Sequence, residues 1–301
     1  MDEKLLFVQF LHPGEEHGKD LPGWKCWNRG KHKRKFLKRS GKYVGCPGMQ
    51  EILFWGEWEP ESKVQRIEKP VPPGPCFIHE PCYVVPKSYR GLQNTDPFVF
   101  GEQFLYAVCL QRTFRQLSHL APGTVILFGS CKDNGFVLDT LFVVGNRPPV
   151  DHSSAKDLEG RVCKGYFEVT VNPWYKNSAR GGACATANSQ KCRLYFGASP
   201  DNPVHGMFSF FPCCRYEVDS TGLARPKIDL GIDLKQLVNP NKCAGVKYTP
   251  LGLDGMKSLW DKVVEKVKNE HLEMGVYAEM PERCSDSPCS GRYRGLASGC
   301  I

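Results

Sequence analysis

The sequence predicts an α+β protein: a mixed or antiparallel, β-barrel-like core with a few helices, one of them amphipathic and near the C-terminus. Three observations carry this. Short apolar runs of strand length recur along the chain, bounded by Gly, Pro, Asn and Asp. Two of them, Val125–Gly129 and Phe136–Val144, flank Lys132-Asp-Asn-Gly135, where Asn-Gly supplies the positive φ of a tight hairpin turn. The clearest 3.6-residue period lies at Asp254–His271, where Leu253, Met256, Leu259, Trp260, Val263, Val264, Val267 and His271 share one face.

Taken in order, Leu5–Leu11 reads as a buried strand and His12–His17 as the polar loop after it. A basic stretch follows, and Glu51–Trp58 is a second strand. Glu59–Pro75 is charged, then Pro-rich, and reads as an extended surface connection. Cys82–Pro86 is a short strand and Ser88–Pro97 a polar loop. Phe98–Gln111 carries Phe100, Phe104, Ala107 and Val108 at helical spacing. After the hairpin, Tyr166–Val171 alternates like a half-buried strand, and Lys176–Lys191 is small and polar, the composition of a mobile loop. Arg193–Phe196 and Met207–Phe211 are strands. Asp254 is the expected N-cap of the amphipathic helix and Gly275 its stop. Val276–Glu279 is a last strand. Residues 1–279 are read as a single domain, with Arg147–Gly160 as the boundary if the chain has one. Residues 280–301 form a Cys-, Ser- and Gly-rich tail expected to be poorly ordered.

Composition narrows the function classes. Hydrophobic content of 41% and charged content of 24% are ordinary for a globular protein. No run approaches the roughly 20 apolar residues of a membrane helix, and no export signal is expected. The expected setting is therefore the cytoplasm, with the 15 cysteines mainly free thiols. The pattern shows no Walker loop, dinucleotide fingerprint or nucleophile elbow, so no catalytic residue is assigned.

The positive charge is local. Between Lys25 and Lys42 there are six Lys, three Arg and no acid, a charge of +9 against +8 for the whole chain. Four of the six tryptophans, Trp24, Trp27, Trp55 and Trp58, lie in or near this stretch. Cations interleaved with aromatics suit a phosphate backbone with exposed bases. The expected nucleic-acid contacts are Trp24, Trp27, Arg29, Lys31, His32, Lys33, Arg34, Lys35, Lys38 and Arg39. The competing reading is a solvated loop or edge strand whose lysines guard against aggregation.

Further ligand-pocket candidates are His12, His17, Arg90, Asn94, Asp96 and Asp139, in loops at strand ends or, for Asp139, within a strand. If the protein is an enzyme, His12, His17, Asp96, Glu102 and Asp139 are its candidate acid/base groups. Cys76, His79 and Cys82 offer three soft ligands without a partner pair, so no metal and no cofactor is expected.

The hairpin Pro122–Gly129 with Phe136–Gly145 resembles the paired strands of small PUA/EVE-like β-barrels. The opening strand, the polar loop and this hairpin together resemble, more loosely, the nucleotide modification associated domains of bacteria and phages. Thr124 stands where an acidic residue is frequent in that family. The resemblance implies a compact barrel with a pocket for a base or modified nucleotide. The expected function is thus nucleic-acid or modified-nucleotide recognition; the alternative is an enzyme such as a nuclease, glycosylase, or nucleotidyl or ADP-ribosyl transferase.

Overall fold

A strand apolar at every position of Leu6–Leu11 except Gln9 needs cover on both faces, and the protein is organised around giving it that cover. The computed structural model describes residues 3–12, 15–16, 22–29, 32–70, 74–132, 135–178, 191–229, 245–285 and 289. In chain order the strands are β1 (Leu6–Leu11), β2 (Glu15–Glu16), β3 (Gly23–Lys25), β4 (Lys33–Tyr43), β5 (Gln50–Gly56), β6 (Ser62–Arg66), β7 (Phe77–Tyr83), β8 (Leu105–Tyr106), β9 (Val125–Lys132), β10 (Gly135–Val143), β11 (Val150–His152), β12 (Cys192–Phe196), β13 (Phe211–Arg215), β14 (Lys227–Ile228), β15 (Gly245–Pro250), β16 (Glu273–Ala278) and β17 (Glu282–Arg283).

β1 lies inside a five-stranded sheet, parallel to β9 and antiparallel to β15, with the order β14-β10-β9-β1-β15. Alternation then divides it between two cores. Leu6, Val8 and Phe10 enter one, Phe7 and Leu11 the other. β9 follows the same rule, with Ile126 and Phe128 on one side and Val125 and Leu127 on the other.

The second large sheet contains a closed ring. β4 pairs with β5, β5 with β13, β13 with β16, and β16 returns to β4, all antiparallel, which makes a small four-stranded barrel. Its strands also serve both cores. Leu37, Ile52, Phe54 and Phe211 face the first, and Phe36, Leu53, Trp55 and Met274 the second. The basic stretch is thus largely a structural strand, in which Phe36 and Leu37 are both buried.

The hairpin of β9 and β10 forms as expected, with Lys132 paired to Gly135; residues 133 and 134 of its turn lie outside the described residues. Its register breaks at Asp139, between Leu138 and Thr140. This bulge reverses the strand's parity: Phe136 and Leu138 before it, and Leu141 and Val143 after it, all face the second core.

Several expected elements differ. Phe98–Gln111 is not helical: Phe98 bridges Leu105, and Leu105–Tyr106 is the short strand β8. The helical spacing arose because nearly every apolar side chain here is buried. Tyr166–Val171 is helical, not extended. The α-helical turns α1 (Lys164–Tyr166) and α2 (Asn172–Ser178) are joined through π-helical Phe167–Val171. Tertiary burial of Tyr166, Val169 and Val171 overrides the local β propensity. The amphipathic helix α3 (Leu253–Asn269) has Gly252 rather than Asp254 as N-cap. It ends through His271, whose φ of 56° is left-handed, and Gly275 lies instead within β16. The connection Glu59–Pro75 contains β6, the strand expected at Cys82–Pro86 runs Phe77–Tyr83, and the one expected at Met207–Phe211 runs Phe211–Arg215. The expected loop Lys176–Lys191 falls mostly outside the described residues, apart from its first residues in α2. Of the tail only residues 280–285 and 289 are described: there β17 pairs with β7, and buried Cys289 forms a disulfide with Cys26. Cys46, Cys76, Cys82, Cys109, Cys163, Cys213, Cys214 and Cys284 are free thiols. No helix among the described residues is long and apolar enough to cross a membrane.

Candidate functional site

The β4–β5 register places charge against charge. Lys35 faces Gly56, and the same register continued beyond the ladder sets Arg34 opposite Glu57 and His32 opposite Glu59. His32 and Arg34 alternate with Lys33, and Glu57 and Glu59 with Trp58, so both pairs fall on one face. Trp58 turns the other way into the core, fully buried, its Nε1 donating to the Glu61 carbonyl at 2.8 Å.

His12 joins this face from the end of β1, where its backbone N–H donates to the Gly129 carbonyl at 2.9 Å. Asp139 joins it from the bulge of β10. Gly129 opposite has no room for a side chain, since a Cβ there would sit 2.0 Å from the Val137 carbonyl oxygen.

The result is a buried charged cluster. Arg34 Nε donates to Asp139 Oδ2 at 2.6 Å, and Nη1 donates to Glu57 Oε2 at 2.9 Å. Arg225 closes the other side of Asp139 with two bonds, at 2.7 and 2.8 Å, and reaches Ser130 Oγ at 2.9 Å. His12 Nδ1 lies 2.6 Å from Glu57 Oε2 and also against Arg34 Nη2. In one tautomer it donates to the carboxylate; in the other it accepts from the guanidinium. His32 Nδ1 bonds Glu59 Oε1 at 2.8 Å and lies 3.4 Å from Glu57 Oε1. The two imidazoles stack, 5.5 Å apart and 8° from parallel.

Electrostatics sort these groups. Burial is the largest influence on His12, His32 and Glu57. It holds His12 below its ordinary value. At His32 burial is outweighed by the Glu59 and Glu57 carboxylates, which push the imidazole up to about 10. At Glu57 burial is outweighed by His12 and Arg34, and the carboxyl is held well below its usual range. Three buried polar atoms here have no hydrogen-bond partner: His12 Nε2, Glu57 Oε1 and Glu59 Oε2. Folding leaves few such groups without a reason.

The sequence-derived candidates divide accordingly. His12, His32, Arg34 and Asp139 are brought together. Trp27 is buried, its Nε1 donating to the Gln93 carbonyl, so it offers no stacking face. Lys35 is buried and donates to the Pro60 carbonyl at 2.7 Å, which removes it from phosphate contact. Arg34 is removed too, by its ion pairs. Lys38 pairs with Glu51, and Arg39 with Glu279. Trp24 is half-buried under Lys63; Lys33 is half-buried and Arg29 exposed. His17 and Lys31 lie outside the described residues. Glu102 is exposed, away from the cluster's bonds. Arg90 lines a separate 370 Å³ pocket with Lys87 and Lys176. Asn94 is buried. His79 bonds Ser62 Oγ inside the core, so Cys76, His79 and Cys82 do not converge. Glu57, Glu59 and Arg225 are absent from the sequence-derived set. The signal for the two glutamates is their alternation at the mirrored distance from the β4–β5 turn.

Asp96 serves the fold. Its carboxyl accepts the backbone N–H groups of Ala107, Val108 and Cys109 at 3.1, 2.8 and 2.8 Å. Burial nevertheless pushes it up to about 7. A carboxyl raised in the folded state contributes stability that is fully present below its unfolded value near 4 and is lost as pH rises through about 7. Unfolding free energy should therefore fall by on the order of 4 kcal/mol between those limits from this group alone. Asp96→Asn should be less stable and lack that component of the pH slope; urea melts at pH 4.5, 6 and 7.5 check this, and an unchanged slope in the variant would contradict it.

No family model, curated protein or solved structure matches this chain.

Proposed function

We propose that this protein binds a nucleic acid or a modified nucleotide, with a phosphate at the open edge of the buried cluster beside His32. One observation carries the reading. Among the cluster's side chains His32 is 18% exposed, whereas those of His12, Arg34, Glu57, Glu59, Asp139 and Arg225 are each under 5%. The cluster thus meets solvent in the middle of the +9 stretch, between exposed Arg29 and half-buried Lys33. A cationic rim attracts phosphate and orients it without reading sequence. The ligand class, a base or modified nucleotide, comes from the resemblance of the β9–β10 hairpin to PUA/EVE-like barrels and belongs to the proposal.

Fluorescent single- and double-stranded oligonucleotides, with and without modified bases, test this across a salt series. Binding should weaken with salt, and Arg29→Gln with Lys33→Gln should flatten the log–log slope by about 1 for each phosphate that is no longer neutralised. Binding indifferent to these changes would remove the rim from the account.

The enzymatic reading is favoured by a different observation, the buried His12 and Glu57 in contact at 2.6 Å. It predicts an altered nucleotide product that disappears in His12→Gln.

A further inference from the structure

We infer that His32, Glu57 and Glu59 form a binding site for a divalent first-row metal ion. This departs from the expectation of no metal drawn from the sequence, and it stands independently of the nucleotide proposal. Among the described residues these three are the one grouping of His, Cys, Asp and Glu donors close enough to share an ion, all within 4.8 Å of one another.

The geometry has the right scale. Metal–ligand bonds of about 2.1 Å at right angles put neighbouring donors about 3 Å apart. His32 Nδ1 lies 2.8 Å from Glu59 Oε1 and 3.4 Å from Glu57 Oε1.

The independent sign of a ligand is the state of the two carboxylates. Glu57 has one oxygen saturated: Oε2 takes the Arg34 bond at 2.9 Å and the His12 contact at 2.6 Å. Its other oxygen, Oε1, faces His32 with no hydrogen-bond partner, and the fully buried Glu59 has Oε2 in the same condition. Two buried carboxylate oxygens without a hydrogen bond, on residues whose ligand atoms lie within 4.8 Å of one another, are costly unless a cation completes them. Partners that fix a ligating carboxylate from behind are a regular part of metal sites, and here Arg34 and His12 hold Glu57 in that way. One imidazole and two carboxylates suit Mn²⁺, Fe²⁺ or Zn²⁺ better than a soft or purely oxygen-preferring ion. His32, partly exposed, provides the path of entry.

The test is a titration of the chelator-stripped, untagged full chain with Mn²⁺, followed by the loss of free-ion electron paramagnetic resonance signal, with Zn²⁺ as competitor. One ion per chain should bind and be displaced by Zn²⁺. Glu59→Gln, which keeps shape and removes charge, should weaken binding at least tenfold. His32→Asn, at the more exposed position, should do the same and guards against a folding failure in the first variant; circular dichroism confirms the fold of each. Absence of binding up to millimolar Mn²⁺ and Zn²⁺ would overturn the inference. So would stoichiometric binding that neither variant changes, since the ion would then sit elsewhere.

Discussion

Arg34→Met lowers the unfolding free energy by about 3–5 kcal/mol in our account, the cost of breaking a buried ion pair from one side. The side chain is 1% exposed and bonds two carboxylates from different parts of the chain, Glu57 after β5 and Asp139 on β10. Methionine fills much of the volume, so the loss is electrostatic: Glu57 and Asp139 keep their burial and lose a shared cation. Arg225 still holds Asp139, so Glu57 bears most of the penalty. Arg34→Lys should not rescue, because an ammonium cannot reach both carboxylates with the planar fork of a guanidinium. Surface Lys63→Ala, at an exposed position over the Trp24 ring, should change stability by about 0.5 kcal/mol or less. Urea denaturation of the three variants decides the matter, and a loss under about 1 kcal/mol for Arg34→Met would mean that the cluster does not tie the two sheets together.

The second large effect is expected at the seam that closes the barrel. At Gly41 a Cβ would lie 2.4 Å from the Tyr277 carbonyl oxygen, and at Gly275 one would lie 2.1 Å from the Phe211 ring. Phe211 is itself wedged between Phe54, at 4.3 Å between ring centroids, and Phe104, at 5.8 Å. Neither clash is relieved by turning a flexible side chain. Gly41→Ala and Gly275→Ala should each cost about 3 kcal/mol, at the upper end of the overpacking range. Because β4 and β16 meet at both sites, with Tyr43 paired to Gly275 and Ala278 to Gly41, the double variant should lose less than the sum of the two. Near-neutral single variants would show that the β16–β4 ladder is not closed in solution.

The legible parts of this fold are those in which local pattern and tertiary burial agree. Leu6–Leu11, the paired strands β9 and β10 and the body of α3 form where the sequence places them, because an apolar run broken only by Gln9, two apolar runs with a short polar break and a 3.6 period each have one simple structural outcome. Phe98–Gln111 and Tyr166–Val171 read wrongly for a common reason. Both are buried on more than one side, and a segment covered all round carries no period that distinguishes strand from helix. The candidate site is legible in halves. His12, His32, Arg34 and Asp139 stand out by residue type and position, but along the chain the basic stretch reads as one surface. In fact Arg34 and Lys35 are both buried, and the β4–β5 pairing brings Glu57 to Arg34 and Glu59 to His32. Charge counted along a chain does not show which charges a sheet will cancel. Arg225 reaches Asp139 and Ser130 across long sequence separations, and no local pattern marks such contacts.

The buried cluster is proposed as a ligand site that opens at His32. The most direct measurement is a histidine side-chain NMR titration with a nucleoside 5′-monophosphate and a short single-stranded oligonucleotide. The account predicts that the His32 resonances move first and furthest, that those of the stacked His12 follow, and that exposed His205 stays still. Shifts confined to His205 and the other exposed rings, or no shift at saturating ligand, would contradict it.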